Sequence, residues 1–179
     1  MNSHSFSLKP FPSSGTLSYL EISGNIGHHS KTLMISYTLH GLLSEVIIPA
    51  PADVPVRKNA LWEETCFEFF LSAKNSDRYW EFNLSPAGHW NVYCFESYRQ
   101  GMQEELAFES LIVNVQRKPD ALQLSLKVDL DKINLIDKTL KVAISAVTKS
   151  INGKITYWAL THPGPQADFH LKDSFIIEL

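Results

Sequence analysis

Nine consecutive residues, Leu122 to Leu130, alternate without a break: Leu122, Leu124, Leu126, Val128 and Leu130 against Gln123, Ser125, Lys127 and Asp129. Successive side chains of a β-strand point to opposite faces, so this run buries one face and wets the other. Thr32 to Leu39 follows the same rule, with Leu33, Ile35, Tyr37 and Leu39 on one side, and so do Leu140, Val142, Ile144 and Ala146. Leu111–Val115 and Ser174–Leu179 are further strand candidates. Helical periodicity is scarce, and only Ala60–Glu64 and Ser97–Leu106 offer short helix candidates.

Between the runs lie turn formers: Gly24-Asn25, Pro49-Ala50-Pro51, Pro86-Ala87-Gly88, Lys118-Pro119-Asp120 and Pro163-Gly164-Pro165. Asn152-Gly153, set between Val147-Thr148 and Ile155-Thr156-Tyr157, is a hairpin signal. Many strands at short spacing predict an all-β chain, a two-sheet antiparallel β-sandwich or a barrel. No repeat, linker or low-complexity tract divides the sequence, so residues 1–179 are expected to form a single domain.

Composition narrows the function classes. Apolar residues make up 44% and charged residues 20%, a globular balance that argues against disorder. The net charge is −3 and no basic cluster exceeds an adjacent pair such as Arg117-Lys118, so the positive field that nucleic-acid binding needs is missing. Apolar stretches fall short of the ~18 residues of a membrane span, and no membrane partner is expected. The first residues, Met-Asn-Ser-His-Ser-Phe, lack a charged region leading into an apolar one, so no secretion signal is expected and the cytoplasm is the default compartment. Two cysteines, Cys66 and Cys94, are too few for a disulfide scaffold, and Cys66 reads as a buried structural thiol.

The informative stretch is 61–99. Alternation puts Phe67, Phe69 and Leu71 on one face of a strand and Cys66, Glu68 and Phe70 on the other; Trp80, Phe82 and Leu84 likewise oppose Tyr79, Glu81 and Asn83. The short polar loop Ser72–Arg78 makes the two strands a hairpin, which gathers Glu68, Glu81 and Asn83 on one face. Carboxylates among aromatics are costly to bury unless paired, so this face is either solvated or a polar groove for a hydrogen-bonding ligand. Tryptophan is frequent: Trp62, Trp80, Trp90 and Trp158. Trp80 belongs to the apolar face, whereas Trp62, beside Glu63 and Glu64, and Trp158, just before His162, are candidates to clamp a flat ligand face.

No catalytic signature stands out. The seven histidines show no zinc-ligand spacing, and there is no phosphate loop, nucleophile elbow or Rossmann fingerprint. Paired carboxylates also occur in glycoside hydrolases, but no separation can be read from sequence. The expectation is a protein that is not an enzyme and carries no metal.

The strings Leu61-Trp62-Glu63-Glu64-Thr65-Cys66-Phe67-Glu68-Phe69-Phe70-Leu71 and Tyr79-Trp80-Glu81-Phe82-Asn83-Leu84-Ser85-Pro86-Ala87-Gly88-His89-Trp90 resemble the DOMON-like proteins, small bacterial relatives of family 9 carbohydrate-binding modules. Glu96-Ser97-Tyr98-Arg99-Gln100-Gly101-Met102, Tyr157-Trp158-Ala159-Leu160-Thr161-His162-Pro163 and Asp168-Phe169-His170 fit the same pattern. The resemblance implies a jelly-roll-like sandwich with a ligand site on one side and a carbohydrate or sugar-containing metabolite as partner. It assigns Trp62 and Trp158 as stacking aromatics and Glu68 as the strand's acidic residue. Glu64, Glu81, Asn83, Tyr98, Arg99 and His162 complete the expected ligand-binding set by position. Haem-binding relatives make haem the alternative cofactor, although Met34 and Met102 match no ligand position securely. A protein-interaction module without a small ligand, monomeric or homodimeric, is the other alternative.

Overall fold

A computed structural model describes residues 2–12 and 19–179. Among the described residues twelve strands make up most of the regular structure, with a few short 3-10 turns between them: β1 Asn2–Pro10, β2 Leu20–His29, β3 Thr32–Gly41, β4 Cys66–Ala73, β5 Tyr79–Leu84, β6 Trp90–Phe95, β7 Gln103–Glu104, β8 Asn114–Arg117, β9 Ala121–Asp129, β10 Leu140–Lys149, β11 Ile155–Ala159 and β12 Ile177–Glu178. All pairings between these strands are antiparallel, and no α-helix occurs among the described residues.

Hydrogen bonding runs as one ladder in the order β7-β6-β5-β4-β10-β11-β1-β2-β3-β9-β8, with β12 paired to β10. Two separate sheets are thus not what the hydrogen bonds draw. β1 is the corner: its residues from Asn2 to Leu8 pair with β2, whereas Lys9 and Pro10 pair with β11. The ladder curls strongly there, and its two halves face one another across a common apolar core. Tyr37 of β3 crosses that core, donating its hydroxyl to the Glu68 carbonyl at 2.7 Å while its ring packs 5.3 Å from Phe67. At Gly24 the sheet leaves no room for a side chain, because an added Cβ would fall 1.9 Å from the Ser36 carbonyl oxygen and 2.5 Å from Phe6 Cζ.

Several expected elements shift. Ala60–Glu64 yields only a 3-10 turn, Leu61–Glu63. Ser97–Leu106 is not helical: Ser97 bridges Gln100 across a tight turn with Arg99 at φ 53°, and Gly101 follows at φ 67°. Leu111–Val113 lie outside β8, and of the C-terminal run only Ile177–Glu178 pair as strand.

What positions the site is the burial of β4, β5 and β6 on both faces. Their inward face (Phe67, Phe69, Leu71, Trp80, Phe82, Val92) joins the main core. On the outward face Phe70, Tyr79, Tyr93 and Phe95, with Ala143 of the neighbouring β10, form a second apolar layer, covered by Phe169 and Phe175 of the segment that follows β11. Strands buried on both sides lose the polar-out half of their alternation, so their few polar residues need partners.

Candidate functional site

Register brings the polar residues of the outward face together. Glu68 on β4 lies between Asn83 of β5 and Ser145 of β10, and Glu81 on β5 lies between Phe70 of β4 and Tyr93 of β6. Directly opposed pairs sit about 4.5–5.5 Å apart at Cβ, so one patch holds two carboxyls, an amide and a hydroxyl. Glu68 accepts a hydrogen bond from Ser145 Oγ at 3.3 Å; Glu81 accepts one from Asn83 Nδ2 at 3.0 Å. Asn83 Oδ1 is buried without a partner among the described residues.

An open cavity of about 760 Å³ stands over this patch, bordered by Trp62, Glu68, Glu81, Arg99, Tyr157, Phe169 and His170. Trp62 reaches it from the 3-10 turn before β4, with its indole edge-on to Tyr93 at 5.8 Å. The opposite wall comes from the segment after β11. There Asp168 clasps the 97–100 turn, accepting from Arg99 Nη2 at 2.9 Å and from the Tyr98 hydroxyl at 2.5 Å. His170 Nδ1 meets the Tyr79 hydroxyl at 2.8 Å, and its Nε2 stands 3.7 Å from Glu81 Oε2. A second cavity of about 720 Å³ lies beyond Tyr79 and His170.

Burial sets the electrostatics. Desolvation, reinforced by the neighbouring Glu81, holds the Glu68 carboxyl well above the usual carboxylate range; the hydrogen bonds from Ser145 and Cys66 only moderate this. Glu81 is pushed up to about 7, again by desolvation, against the pull of Asn83 and Arg99. His170 is lowered to about 4 by burial and by the Arg99 charge. Its 3.7 Å approach to Glu81 is therefore a neutral imidazole beside a carboxyl rather than an ion pair. Asp168 behaves oppositely: burial would raise it, but the hydrogen bonds from Tyr98, Arg99 and the His170 amide hold it below the usual value.

Of the expected ligand-binding residues, Trp62, Glu68, Glu81 and Arg99 border the cavity. Asn83 lies beneath it, fully buried, as the partner of Glu81. Tyr98 borders the second cavity. Glu64 is exposed and borders neither. His162 points elsewhere, with Nε2 2.8 Å from the Lys9 carbonyl oxygen and its ring against Phe11.

Trp158 is the main departure. It is 2% exposed, packs in the main core and donates Nε1–H to Thr148 Oγ1 at 2.9 Å, so Tyr157, 39% exposed, is the β11 aromatic at the cavity. Hairpin register explains the exchange. A two-residue Asn152-Gly153 loop would set Trp158 opposite Val147, on the cavity face. The actual loop closes between Ser150 and Lys154, with Gly153 at φ 83°, and sets Trp158 opposite Ala146 on the core face. One residue of register moves every side chain to the other face. Tyr157, Phe169 and His170 fall within the resembling strings, but no periodicity singles them out as ligand contacts; the register that sets Tyr157 opposite Val147 places it at the cavity.

No protein-family model matches the chain, and no curated protein sequence does. Solved structures do. A Bacteroides uniformis protein proposed to bind carbohydrate superposes with a TM-score of 0.67 at 14% identity, over 95% of this chain and 84% of the other. A family 9 carbohydrate-binding module from Caldicellulosiruptor kristjanssonii, solved in complex with glucose, gives a TM-score of 0.50 at 7% identity, over 84% and 72%. At these identities the likeness is one of fold: this chain has an all-β fold like that of carbohydrate-binding modules.

Proposed function

We propose that this chain is a non-catalytic module that binds a carbohydrate or sugar-containing metabolite, built as a DOMON-like, jelly-roll variant of the two-sheet sandwich. The observation that carries this is the cavity on the outward face of β4, β5, β6 and β10. It sets the exposed rings of Trp62 and Tyr157 beside the buried carboxyls Glu68 and Glu81. A pyranose has apolar C–H faces and a rim of hydroxyls. Flat aromatic rings take the first, and preformed acceptors whose geometry the sheet fixes take the second. The fold shared with carbohydrate-binding proteins supports the same reading.

Haem fits these residues poorly. Met102 and His170 both border the cavity, but His170 Nε2 faces a carboxyl and two buried carboxyls line the floor. That floor opposes an apolar macrocycle bearing two propionates. The purified protein should show no Soret band after haem is offered.

The test is a titration with mono- and oligosaccharides, followed by tryptophan fluorescence and melting temperature. A ligand at ~100 times its dissociation constant stabilises by roughly 2.7 kcal/mol. A saturable response that Trp62→Ala and Tyr157→Ala each abolish supports the reading; silence across the panel refutes it.

A further inference from the structure

If the cavity is a sugar site, its floor also dictates which sugars it takes. Two carboxyls, Glu68 and Glu81, reach it from adjacent strands, both almost fully buried. Among the described residues neither is ion-paired to a charged group, since the His170 imidazole beside Glu81 is neutral. Arg99, the one guanidinium among the described residues that border the cavity, is committed to Asp168 by a 2.9 Å ion pair that Tyr98 completes on the other carboxylate oxygen. The imidazole of His170 is turned to Tyr79 through Nδ1, and its burial disfavours the charged form. Ser145 and Asn83 supply single neutral hydrogen bonds to Glu68 and Glu81. The walls above the carboxyls are the rings of Trp62, Tyr157 and Phe169. Carboxyls short of a counter-charge beneath aromatic faces are the chemistry that attracts an ammonium group, through charge pairing below and cation–π contact at the sides.

We propose that the cavity selects ligands carrying a protonated amine, an unacylated amino sugar above its neutral, acetylated or acidic counterparts. This inference rests on the sugar-site reading and deepens it. A bound ammonium favours the ionised form of the carboxyl beside it, so binding at neutral pH releases protons from the Glu81 and Glu68 carboxyls, while the ammonium keeps its own. The groups facing this pair are Cys66, Ser145, Tyr79, Asn83, Tyr93, Arg99, Asp168 and His170. None of them supplies a free positive charge at pH 7.

The experiment is calorimetric titration at pH 7 with glucosamine, glucose, N-acetylglucosamine and glucuronate, run in two buffers of different ionisation enthalpy. Choline and its neutral isostere 3,3-dimethylbutanol serve as probes of the charge alone. The expected result is glucosamine binding about tenfold or more tighter than glucose, choline binding where the isostere does not, and proton release for the amines only. Glu81→Gln should reduce the proton release and bring the ratio of glucosamine to glucose affinity down toward one. Equal affinity for glucosamine and glucose, with no proton release, overturns the amine preference and leaves the sugar site standing. Silence with every probe overturns both.

Discussion

Replacing Glu81 with Gln should stabilise the protein at alkaline pH, although the side chain sits at the centre of a hydrogen-bonded patch. The reasoning starts from burial. Glu81 is 5% exposed, and desolvation carries its carboxyl from 4.5 to about 7 in the folded chain. Below pH 4.5 the group is protonated whether the chain is folded or not, and it contributes no difference. Between pH 4.5 and 7 the unfolded chain ionises first while the folded one holds its proton, so folding stability is lost as pH rises through this window. Each tenfold change in proton affinity is worth about 1.36 kcal/mol, which puts the full loss near about 3 kcal/mol above pH 7. Gln keeps the shape and the acceptor for Asn83 Nδ2, and it also relieves the repulsion that Glu81 exerts on Glu68. His170 runs the other way: it is neutral in the fold down to about 4, so its contribution is lost as pH falls from 6.5. That term is common to both proteins and largely cancels in their difference. Urea unfolding of the wild type and Glu81→Gln at pH 5, 6, 7 and 8 measures it. The variant should lead by less than about 1 kcal/mol at pH 5 and by about 3 kcal/mol at pH 8, melting about 6–12 °C higher there. A difference that stays flat with pH, or a wild type that gains on the variant as pH rises, would refute the argument.

Other consequences are simpler. Trp158→Phe should cost about 2–4 kcal/mol, from a smaller ring in the core and a Thr148 hydroxyl left unpaired, yet should leave ligand affinity unchanged; denaturation and binding read the two separately. Gly24→Ala should destabilise by about 3 kcal/mol or more, because its Cβ meets the Ser36 carbonyl oxygen at 1.9 Å and a backbone atom cannot yield cheaply; a melting temperature within a degree of wild type would show that the strands part there more easily than their geometry implies. Cys66 and Cys94 are buried and held above the usual thiol range by burial, so a thiol reagent should label neither until denaturant is added; fast labelling of native protein would contradict that placement.

The strands most easily read in the sequence are those with one wet face: β3 and β9 keep apolar residues at every second position and partly exposed ones between. β10 keeps the same alternation on its core side although its other face is covered as well. On β4 and β5 alternation still sorted Glu68, Glu81 and Asn83 onto one face, although both faces are apolar. What it could not show is that this face is roofed over. The cover comes from residues 165–176, which have little regular structure and meet β4, β5 and β6 only through contacts distant in sequence. His170 and Phe169 carry no periodic signal for that reason. Ser97–Leu106 has helix-forming residues but folds as a turn and a two-residue strand, because Arg99 and Gly101 adopt left-handed backbone and Asp168 holds the turn from outside. Trp158 shows the limit most clearly. The face it takes depends on whether the hairpin loop holds two residues or three, and local sequence does not decide that.

The sharpest check on the sugar-site account is a nitrogen–proton NMR titration that watches the four tryptophan indole signals as sugar is added. The account predicts that the Trp62 indole, 38% exposed at the cavity, shifts with saturation, while the Trp158 indole, held by Thr148 in the core, stays put. A saturable shift that spares Trp62, or movement led by Trp158, would place the ligand elsewhere and contradict it.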